Sequence, residues 1–228
     1  MRTLFVTGTG TGVGKTVLSA ALAERWRLGG RKVAAVKPVE TGCAPEPADA
    51  LALARACGRP ELTTAPGLYR ARQPLAPWAA TLAGEPAPPP VERLAAACRA
   101  AAGEADLLLV EGAGGVLVPL DARHDIVELA VALRASALLV ARDGLGVLSH
   151  TLTAAEALRR REVPLLAVAL VRHGAPEEGE DPSLRSNAAI LGDRLAPAPV
   201  LTVPRRDAPE HGLAVERLAE VLWQRLDA

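Results

Sequence analysis

A glycine-rich stretch near the start of the chain has the residue types that bind nucleotide phosphates. It reads GTGTGVGKT from Gly8 to Thr16, after the apolar residues 4–6 and before an apolar-periodic segment typical of a helix. Glycines let successive backbone N–H groups face an anion, and the helix N-terminus adds partial positive charge. Lys15 can then reach the outer phosphates, and the Thr16 hydroxyl can bind Mg²⁺. The stretch predicts a phosphate-binding loop.

This loop departs from the strict phosphate-loop pattern, which requires glycine where Thr9 stands. The dinucleotide pattern G-x-G-x-x-G fails as well, because a match that begins at Gly10 and Gly12 would require glycine at the position of Lys15. The alternative is a glycine-rich turn that binds no ligand. The predicted strand before the loop and the predicted helix after it favour a phosphate site.

Charged residues also follow two other predicted strands. Lys37 begins KPVETG, and Glu111 comes directly after an apolar run and precedes Gly-Ala-Gly-Gly. An acidic residue at such a strand end is a common Mg²⁺ contact, and small residues let a ligand approach the backbone. The alternative interpretation for both Lys37 and Glu111 is a solvated charge at the end of a strand, without a role in a site. Asp49, at the start of a predicted helix, also has two interpretations. It could belong to the site, or it could simply interact favourably with the helix dipole.

The elements that must position these residues alternate between strands and helices. Strands are predicted at 2–7, 32–36, 107–110, 137–141, 165–171 and 200–203, and helices at 15–28, 49–56, 91–102, 126–134, 147–161, 183–195 and 213–226. The pattern predicts a single doubly wound, mostly parallel α/β sheet flanked by helices, in one domain over 1–228. Ligands of such sheets bind at the carboxyl ends of the strands.

Two local features complete the predicted fold. Asp125 is the expected N-cap of the helix at 126–134. Residues 60–90 are rich in proline but contain residues of a buried type, among them Tyr69 and Trp78. We interpret this segment as ordered loop and short helix over the site.

Composition narrows the classes of function. The formal net charge is zero and aromatic residues are 2% of the chain, so neither nucleic acid nor an anionic membrane is the expected partner. The apolar runs fall well short of the roughly 18 residues that a membrane span needs, so we expect no membrane span. The predicted first strand begins at residue 2, so we expect no signal peptide either. Three cysteines without metal-type spacing fit a reducing cytoplasm. The four histidines share no spacing, so we expect neither a zinc site nor a catalytic triad.

The motifs GTGTGVGKT, KPVETG, DALAL and VEGAGG occur in this order, and with them the chain resembles the dethiobiotin synthetases over nearly its whole length. The combination of GTxTxVGKT, KPV-x-[ST]-G and VEGAGG is specific, and it accounts for the altered phosphate loop. The chain is also similar to the wider group of ParA- and MinD-like nucleotide-binding proteins, which have the P-loop NTPase fold.

The resemblance implies a ligase of biotin biosynthesis that uses ATP and Mg²⁺ to close a ring on 7,8-diaminopelargonate with CO₂. Lys37 and Lys15 would be the catalytic lysines, with Lys37 acting on a carbamate and on the γ-phosphate. Thr16, Asp49 and Glu111 would bind the metal. Substrate would contact Thr11, Lys37 and Thr41. The nucleotide would contact a larger set: Gly12, Val13, Gly14, Lys15, Thr16, Val17, Asp49, Glu111, Gly112, Ala113, Gly114, Arg172, His173, Val203, Pro204 and Arg205.

Two departures from the family concern the loop and the base. Better-known members have acidic residues where Gly10 and Gly12 stand, and an Asn-Asp pair that contacts adenine where Arg172 and His173 stand. The base preference therefore stays open. The region of Gly146, Ser149 and His150 corresponds to a dimer-interface helix, so the resemblance implies a homodimer.

Two other functions compete with this ligase. A ParA/MinD-like switch needs an additional lysine where Gly10 stands, and the chain lacks it. An amidating synthetase of the cobyrinic-acid type would need an attached glutaminase domain, for which 228 residues leave no room.

Overall fold

Six parallel strands form the sheet on which the candidate site is built. The structure is a computed structural model that describes residues 1–173 and 181–227. The sheet contains β1 (Arg2–Gly8), β2 (Val33–Val36), β5 (Leu107–Glu111), β6 (Ser136–Arg142), β7 (Leu165–Val171) and β8 (Val200–Val203), in the order β2-β5-β1-β6-β7-β8. Every neighbouring pair is parallel. This confirms the predicted doubly wound, parallel α/β sheet.

The central strands contain uninterrupted apolar runs because helices cover both faces of the sheet. Leu107, Leu108, Leu109 and Val110 of β5 are all 0% exposed. The flanking helices are α1 (Lys15–Leu28), α2 (Ala48–Ala56), α3 (Pro77–Leu82), α4 (Val91–Ala102), α5 (Val127–Leu133), α6 (Val147–Arg160), α7 (Asn187–Leu195) and α8 (His211–Leu226). Within the described ranges, no helix combines the length and apolarity needed to span a membrane.

The segment at 60–90 contains more regular structure than its prolines suggest. A 3₁₀ helix spans Pro60–Thr64, and helix α3 begins at Pro77. Strand β4 (Tyr69–Arg70) pairs in parallel with β3 (Val39–Glu40) as a second, two-stranded sheet. The sequence did not predict this sheet, because two-residue strands are too short to carry an alternating pattern. It connects the KPVETG motif to the proline-rich segment.

Two local predictions were wrong. The helix predicted at 183–195 is a 3₁₀ helix over Pro182–Arg185 followed by α7, with Ser186 between them. Asp125 does not cap α5, because Ile126 occupies the N-cap position without a side-chain cap hydrogen bond. The Asp125 carboxylate instead lies 3.5 Å from Nη2 of Arg161, which also contacts Glu128. Asp125 thus pairs with an arginine that is distant in the sequence and does not cap the helix that follows it.

Candidate functional site

The phosphate loop follows the carboxyl end of β1, between β5 and β6. Gly14 precedes α1 with φ of 100°, a conformation that side chains rarely adopt. A Cβ atom added to it would lie 3.1 Å from Cγ1 of Val171, so the position also has little space. Lys15 is buried, and its Nζ donates to the carbonyl oxygen of Gly10 at 2.7 Å. The loop therefore presents its backbone at the N-terminus of α1, as an anion site requires.

Lys37 is the residue on which the other predicted charges converge. Its side chain is only 4% exposed. Nζ donates to Oε1 of Glu111 at 2.5 Å and to the carbonyl oxygen of Gly112 at 3.0 Å. Nζ also lies 3.0 Å from Oδ2 of Asp49. The ends of β2 and β5 and the first turn of α2 thus meet at one ammonium group.

The phosphate loop joins these charges through Thr16. Its Oγ1 donates to Oε1 of Glu111 at 2.8 Å. Glu111 is 0% exposed, and its second carboxylate oxygen, Oε2, is buried without a hydrogen-bond partner. Buried polar atoms are rarely left unpaired, so this oxygen indicates room for a further ligand. We call Lys15, Thr16, Lys37, Asp49 and Glu111 the buried charge cluster, after Lys15, Lys37 and Glu111, which are buried. Thr16 is half-buried, and the Asp49 side chain is 40% exposed at the rim of the cluster.

The oxygen atoms of this cluster fit a hard divalent cation such as Mg²⁺. Such ions prefer carboxylate and hydroxyl oxygens, and Thr16, Asp49 and Glu111 supply both kinds. Nowhere in the described ranges do three His, Cys, Asp or Glu side chains gather closely enough to hold a metal ion. The threonine hydroxyl is therefore needed to complete a protein donor set here, with the unpaired Oε2 of Glu111 as its most buried member.

Burial and neighbouring charge shift the ionisation of the cluster in opposite directions. Burial, reinforced by the neighbouring Lys37, lowers the pKa of Lys15 to about 8. Burial also acts to lower the pKa of Lys37, but Glu111 and Asp49 outweigh it and raise that pKa overall. Burial acts to raise the pKa of Asp49, yet Lys37 outweighs it and lowers that pKa. Lys37 and Asp49 are therefore held in their charged forms.

The Gly-Ala-Gly stretch after Glu111 lies against the core and the phosphate loop. A Cβ atom on Gly112 would lie 3.0 Å from Cζ of Phe5, so only glycine lets the backbone approach this closely. A Cβ atom on Gly114 would lie 3.6 Å from Oγ1 of Thr11, which places Thr11 beside this stretch. Ala113 is partly buried between the two glycines. Thr41 follows β3 and is partly exposed.

The predicted base contacts lie on the other side of the phosphate loop, around an open cleft. Arg172 and His173 follow β7, while Pro204 and Arg205 follow β8. All four line a cleft of about 1310 Å³ that also reaches Thr9, Gly10 and Val13. Val203 is buried under it at 1% exposed, and Val17, on α1, is 47% exposed. We call this space the open cleft.

Two arginines of the open cleft each lie beside a carboxylate. The Arg172 side chain is 42% exposed, and its Nε lies 3.7 Å from Oδ2 of Asp143. Arg205 donates through Nε to Oδ1 of Asp207 at 3.0 Å. His173 is exposed, with Nδ1 3.2 Å from the carbonyl oxygen of Val171. These groups can donate hydrogen bonds to a ligand in the cleft.

The region of the predicted dimer contact begins helix α6. Gly146 is its N-cap with φ of 91°, and Ser149 and His150 lie in its first turn. His150 also lines the open cleft. Leu145, next to it, is 90% exposed, the largest exposed fraction among the large apolar side chains of the described ranges.

Sequence reasoning missed two charged residues beside the buried charge cluster. Glu40, 6% exposed, accepts backbone N–H groups of α2, and Arg70 donates to the carbonyl oxygen of Lys37 at 2.8 Å. Glu40 lies inside the KPVETG motif, which was the available signal. Arg70 had no signal, because its strand was not predicted.

Known proteins resemble this chain in both sequence and structure. A family model described as an AAA domain matches residues 2–225. The ATP-dependent dethiobiotin synthetase of Anaeromyxobacter dehalogenans (strain 2CP-C) is 43% identical over 205 residues, which cover 90% of each chain. That of Caulobacter vibrioides (strain NA1000 / CB15N) is 39% identical over 224 residues, which cover 96% of this chain and 99% of the relative.

A solved structure agrees with this fold. The septum site-determining protein MinD from Pyrococcus horikoshii OT3, solved in complex with Mg-ADP, has a TM-score of 0.62 with 17% identity. The match covers 97% of this chain and 95% of that one. At this identity the likeness concerns the fold alone, which is that of a P-loop NTPase.

Proposed function

Because the chain belongs to the family of ATP-dependent dethiobiotin synthetases, we propose that it converts 7,8-diaminopelargonate, CO₂ and ATP into dethiobiotin, ADP and phosphate. One observation of the structure carries this proposal. Lys37 lies 2.5 Å from Glu111 and 3.0 Å from Asp49, directly beside the phosphate loop. A buried cation next to a phosphate site suits the transfer of a phosphoryl group between two anions.

The reaction has three bond-making steps. One amine of the substrate attacks CO₂, forms a C–N bond and loses a proton, which gives a carbamate. A carbamate oxygen then attacks the γ-phosphorus of ATP, and the bond from that phosphorus to ADP breaks. The second amine attacks the carbonyl carbon of the resulting anhydride, phosphate leaves with the C–O bonding electrons, and the amine loses its proton. The product contains the closed ureido ring.

The lysines would supply positive charge where anions meet. Lys15 would hold the outer phosphates, together with the backbone N–H groups of Gly12, Val13 and Gly14. Lys37 would bring the carbamate and the γ-phosphate together and stabilise charge on the transferred group. An ionised carbamate needs no strong general base for its attack. The chain's main contribution would therefore be position and electrostatics.

Thr16, Asp49 and Glu111 would hold Mg²⁺, in agreement with the unpaired buried oxygen of Glu111. When bound, the ion would neutralise negative charge on the β- and γ-phosphates. Thr11 and Thr41 would contact the substrate beside Lys37. Gly112, Ala113 and Gly114 would line the same space, and their small side chains leave room for it.

The base of the nucleotide would lie in the open cleft, against Arg172, His173, Val203, Pro204 and Arg205. Val17 would complete the nucleotide contacts on α1. The partial exposure of the Arg172 side chain supports weak selection among nucleoside triphosphates, since screening by water weakens the interaction of its charge with a base.

We propose further that residues 1–228 act as one domain, that two copies form a homodimer through the start of α6, and that the protein works in the cytoplasm. The dimer contact rests on the resemblance to the family over Gly146, Ser149 and His150, and Leu145 beside them is 90% exposed. Cys43, Cys57 and Cys98 are all free thiols, in agreement with a reducing compartment. Light scattering on the purified protein measures the oligomeric state, and a monomer at micromolar concentration would contradict the dimer.

The function is tested by phosphate release from ATP with Mg²⁺ and bicarbonate, with and without 7,8-diaminopelargonate. We expect release that depends on the diamine, with dethiobiotin formed in step and followed by mass. Hydrolysis that ignores the diamine would contradict the proposal and favour the nucleotide-dependent switch. Release that depends on glutamine would favour an amidating synthetase.

A further inference from the structure

The carboxylate of Glu40 replaces the capping side chain that helix α2 lacks. Pro47 occupies the N-cap of α2, and no side-chain cap hydrogen bond is present there. Glu40 reaches the helix from β3: Oε1 accepts from the N–H of Asp49 at 2.8 Å, and Oε2 from the N–H of Ala50 at 3.0 Å. These N–H groups have no acceptor within the helix, and a carboxylate also suits the positive end of the helix dipole.

Asp49 is the residue held by this contact. Its backbone N–H is bound by Glu40, and its own carboxylate lies 3.0 Å from Nζ of Lys37. An aspartate side chain is short, so the carboxylate follows any movement of its backbone. The position of the first turn of α2 therefore determines the position of the Asp49 carboxylate in the buried charge cluster.

The neighbouring strand of the small sheet holds Lys37 in a corresponding way. Arg70 lies directly opposite Glu40 in the pairing of β3 with β4. Its Nη1 donates to the carbonyl oxygen of Lys37 at 2.8 Å, and Nη2 donates to that of Thr63 at 3.3 Å. One strand of this sheet thus binds the backbone of Lys37, and the other binds the backbone of its carboxylate partner.

We propose that Glu40 is a positioning residue, which caps α2 from the two-stranded sheet and thereby fixes the Asp49 carboxylate relative to Lys37 and the phosphate loop. This inference rests on the proposed function, because it requires Asp49 to serve the site of the Mg²⁺-bound nucleotide. Partners that orient a metal-binding group commonly change metal affinity by about 10- to 100-fold when they are replaced. Glu40 would act on nucleotide binding only through Asp49.

The first experiment measures the Mg²⁺ dependence of ADP binding by calorimetry in the Glu40→Gln variant. Glutamine keeps the size of the side chain but turns its NH₂ group toward a backbone N–H. We expect the Mg²⁺ concentration at half-maximal binding to rise about 10-fold. Glu85→Gln is the matched control, because Oε1 of Glu85 accepts the N–H groups of Arg72 and Gln73 at 3.1 and 3.0 Å, away from α2. The control should leave the Mg²⁺ dependence unchanged, and an equal rise in both variants would overturn the proposal.

A double-mutant cycle separates positioning from general loosening of the fold. In an Asp49→Asn background, we expect Glu40→Gln to cause no further rise in the Mg²⁺ requirement. The same 10-fold rise in both backgrounds, or no rise in either, would overturn the proposal. Circular dichroism and thermal unfolding check that each variant folds, and Glu40→Asp takes the place of Glu40→Gln in the cycle should the glutamine variant not fold.

Hydrogen exchange tests the contact directly and without nucleotide. We expect the amide protons of Asp49 and Ala50 to exchange at least about 10-fold faster in Glu40→Gln, since both lose a charged acceptor. Unchanged exchange would overturn the proposal. None of these three measurements uses the diamine, so an absence of diamine-dependent turnover would contradict the proposed function while leaving the result for Glu40 intact.

Discussion

The buried charge cluster and the open cleft lie on opposite sides of one phosphate loop, yet they hold their charges differently. Lys37 and Glu111 are 4% and 0% exposed in their side chains, and their charged atoms are 2.5 Å apart. Arg172, in the cleft, is 42% exposed and lies 3.7 Å from its partner Asp143. On one side the charges form a closely bonded network, and on the other a partly exposed arginine lies beside a carboxylate while its Nε has no hydrogen-bond partner.

This contrast shows where the chain requires a fixed geometry. A charge removed from water must be paired and hydrogen-bonded, so the buried side tolerates few arrangements. Exposed charges are screened by water and salt, and many arrangements have similar energy. We therefore expect substitutions in the buried charge cluster to have large, specific effects, and those in the open cleft to have small effects.

The largest effect is expected for Lys37→Ala. The substitution removes the cation that meets the transferred group, so turnover with the diamine should fall about 10²- to 10³-fold. Binding of ADP with Mg²⁺ should stay within about 3-fold, because Lys15 and the loop amides remain. Steady-state kinetics and calorimetry give the two quantities. Lys32→Ala, which changes an exposed lysine before β2, is the control; unchanged turnover in Lys37→Ala would remove it from catalysis.

Glu111→Gln should have the next largest effect. The amide keeps the shape of the side chain but halves its capacity to bind a cation, so the Mg²⁺ concentration at half-maximal ATP binding should rise about 10-fold or more. A Mg²⁺ titration of nucleotide binding measures it. Glu104→Gln alters an exposed carboxylate before β5 and should have no effect. Identical titrations for Glu111→Gln and the native protein would exclude Glu111 from the metal site.

Gly14→Ala tests the residue where the two sides meet. Because Gly14 has a φ of 100° and lies close to Val171, an added methyl group is strained there. We expect the substitution to lower the free energy of unfolding by about 1–2 kcal/mol. Nucleotide affinity should fall with it, because the loop must move to relieve the strain. Gly10→Ala is the control in the same loop, since a Cβ atom there meets no atom within 4 Å. Equal stability of the two variants in chemical denaturation would show that the loop relaxes freely.

The smallest effect is expected in the open cleft. Arg172→Ala should raise the KM for ATP by only about 2- to 5-fold, because an exposed hydrogen bond contributes little. The kcat/KM for ATP relative to that for GTP or CTP should change by no more than the same 2- to 5-fold. Arg93→Ala, on the surface of α4, is the control. A 100-fold rise in the KM for ATP would show that the ligand fixes Arg172 in place. The buried charge cluster and the open cleft would then not differ in the way described.

Much of the fold was predictable from the sequence, and the exceptions have a common cause. Uninterrupted apolar runs predict strands at 107–110 and 165–171, and the structure has strands at Leu107–Glu111 and Leu165–Val171. The phosphate loop could be predicted as well, since its glycines, Lys15 and Thr16 are adjacent in the chain. The two-stranded sheet and the capping role of Glu40 depend on contacts between distant segments, and nothing local indicates them. Asp125 shows the reverse, where an ion pair with Arg161 replaced the predicted local cap.

The order of strands and helices, the phosphate loop and the residues that end the strands are all properties of the sequence, because they follow from periodicity and from neighbours in the chain. Which charges meet is a property of the tertiary structure. Parallel pairing brings the ends of β1, β2 and β5 to one edge, where Thr16, Lys37 and Glu111 come within hydrogen-bonding distance. The same packing buries the charges of Lys37 and Glu111 and leaves the Arg172 side chain 42% exposed. Burial depends on which elements pack above a residue, and that is settled only by the whole fold.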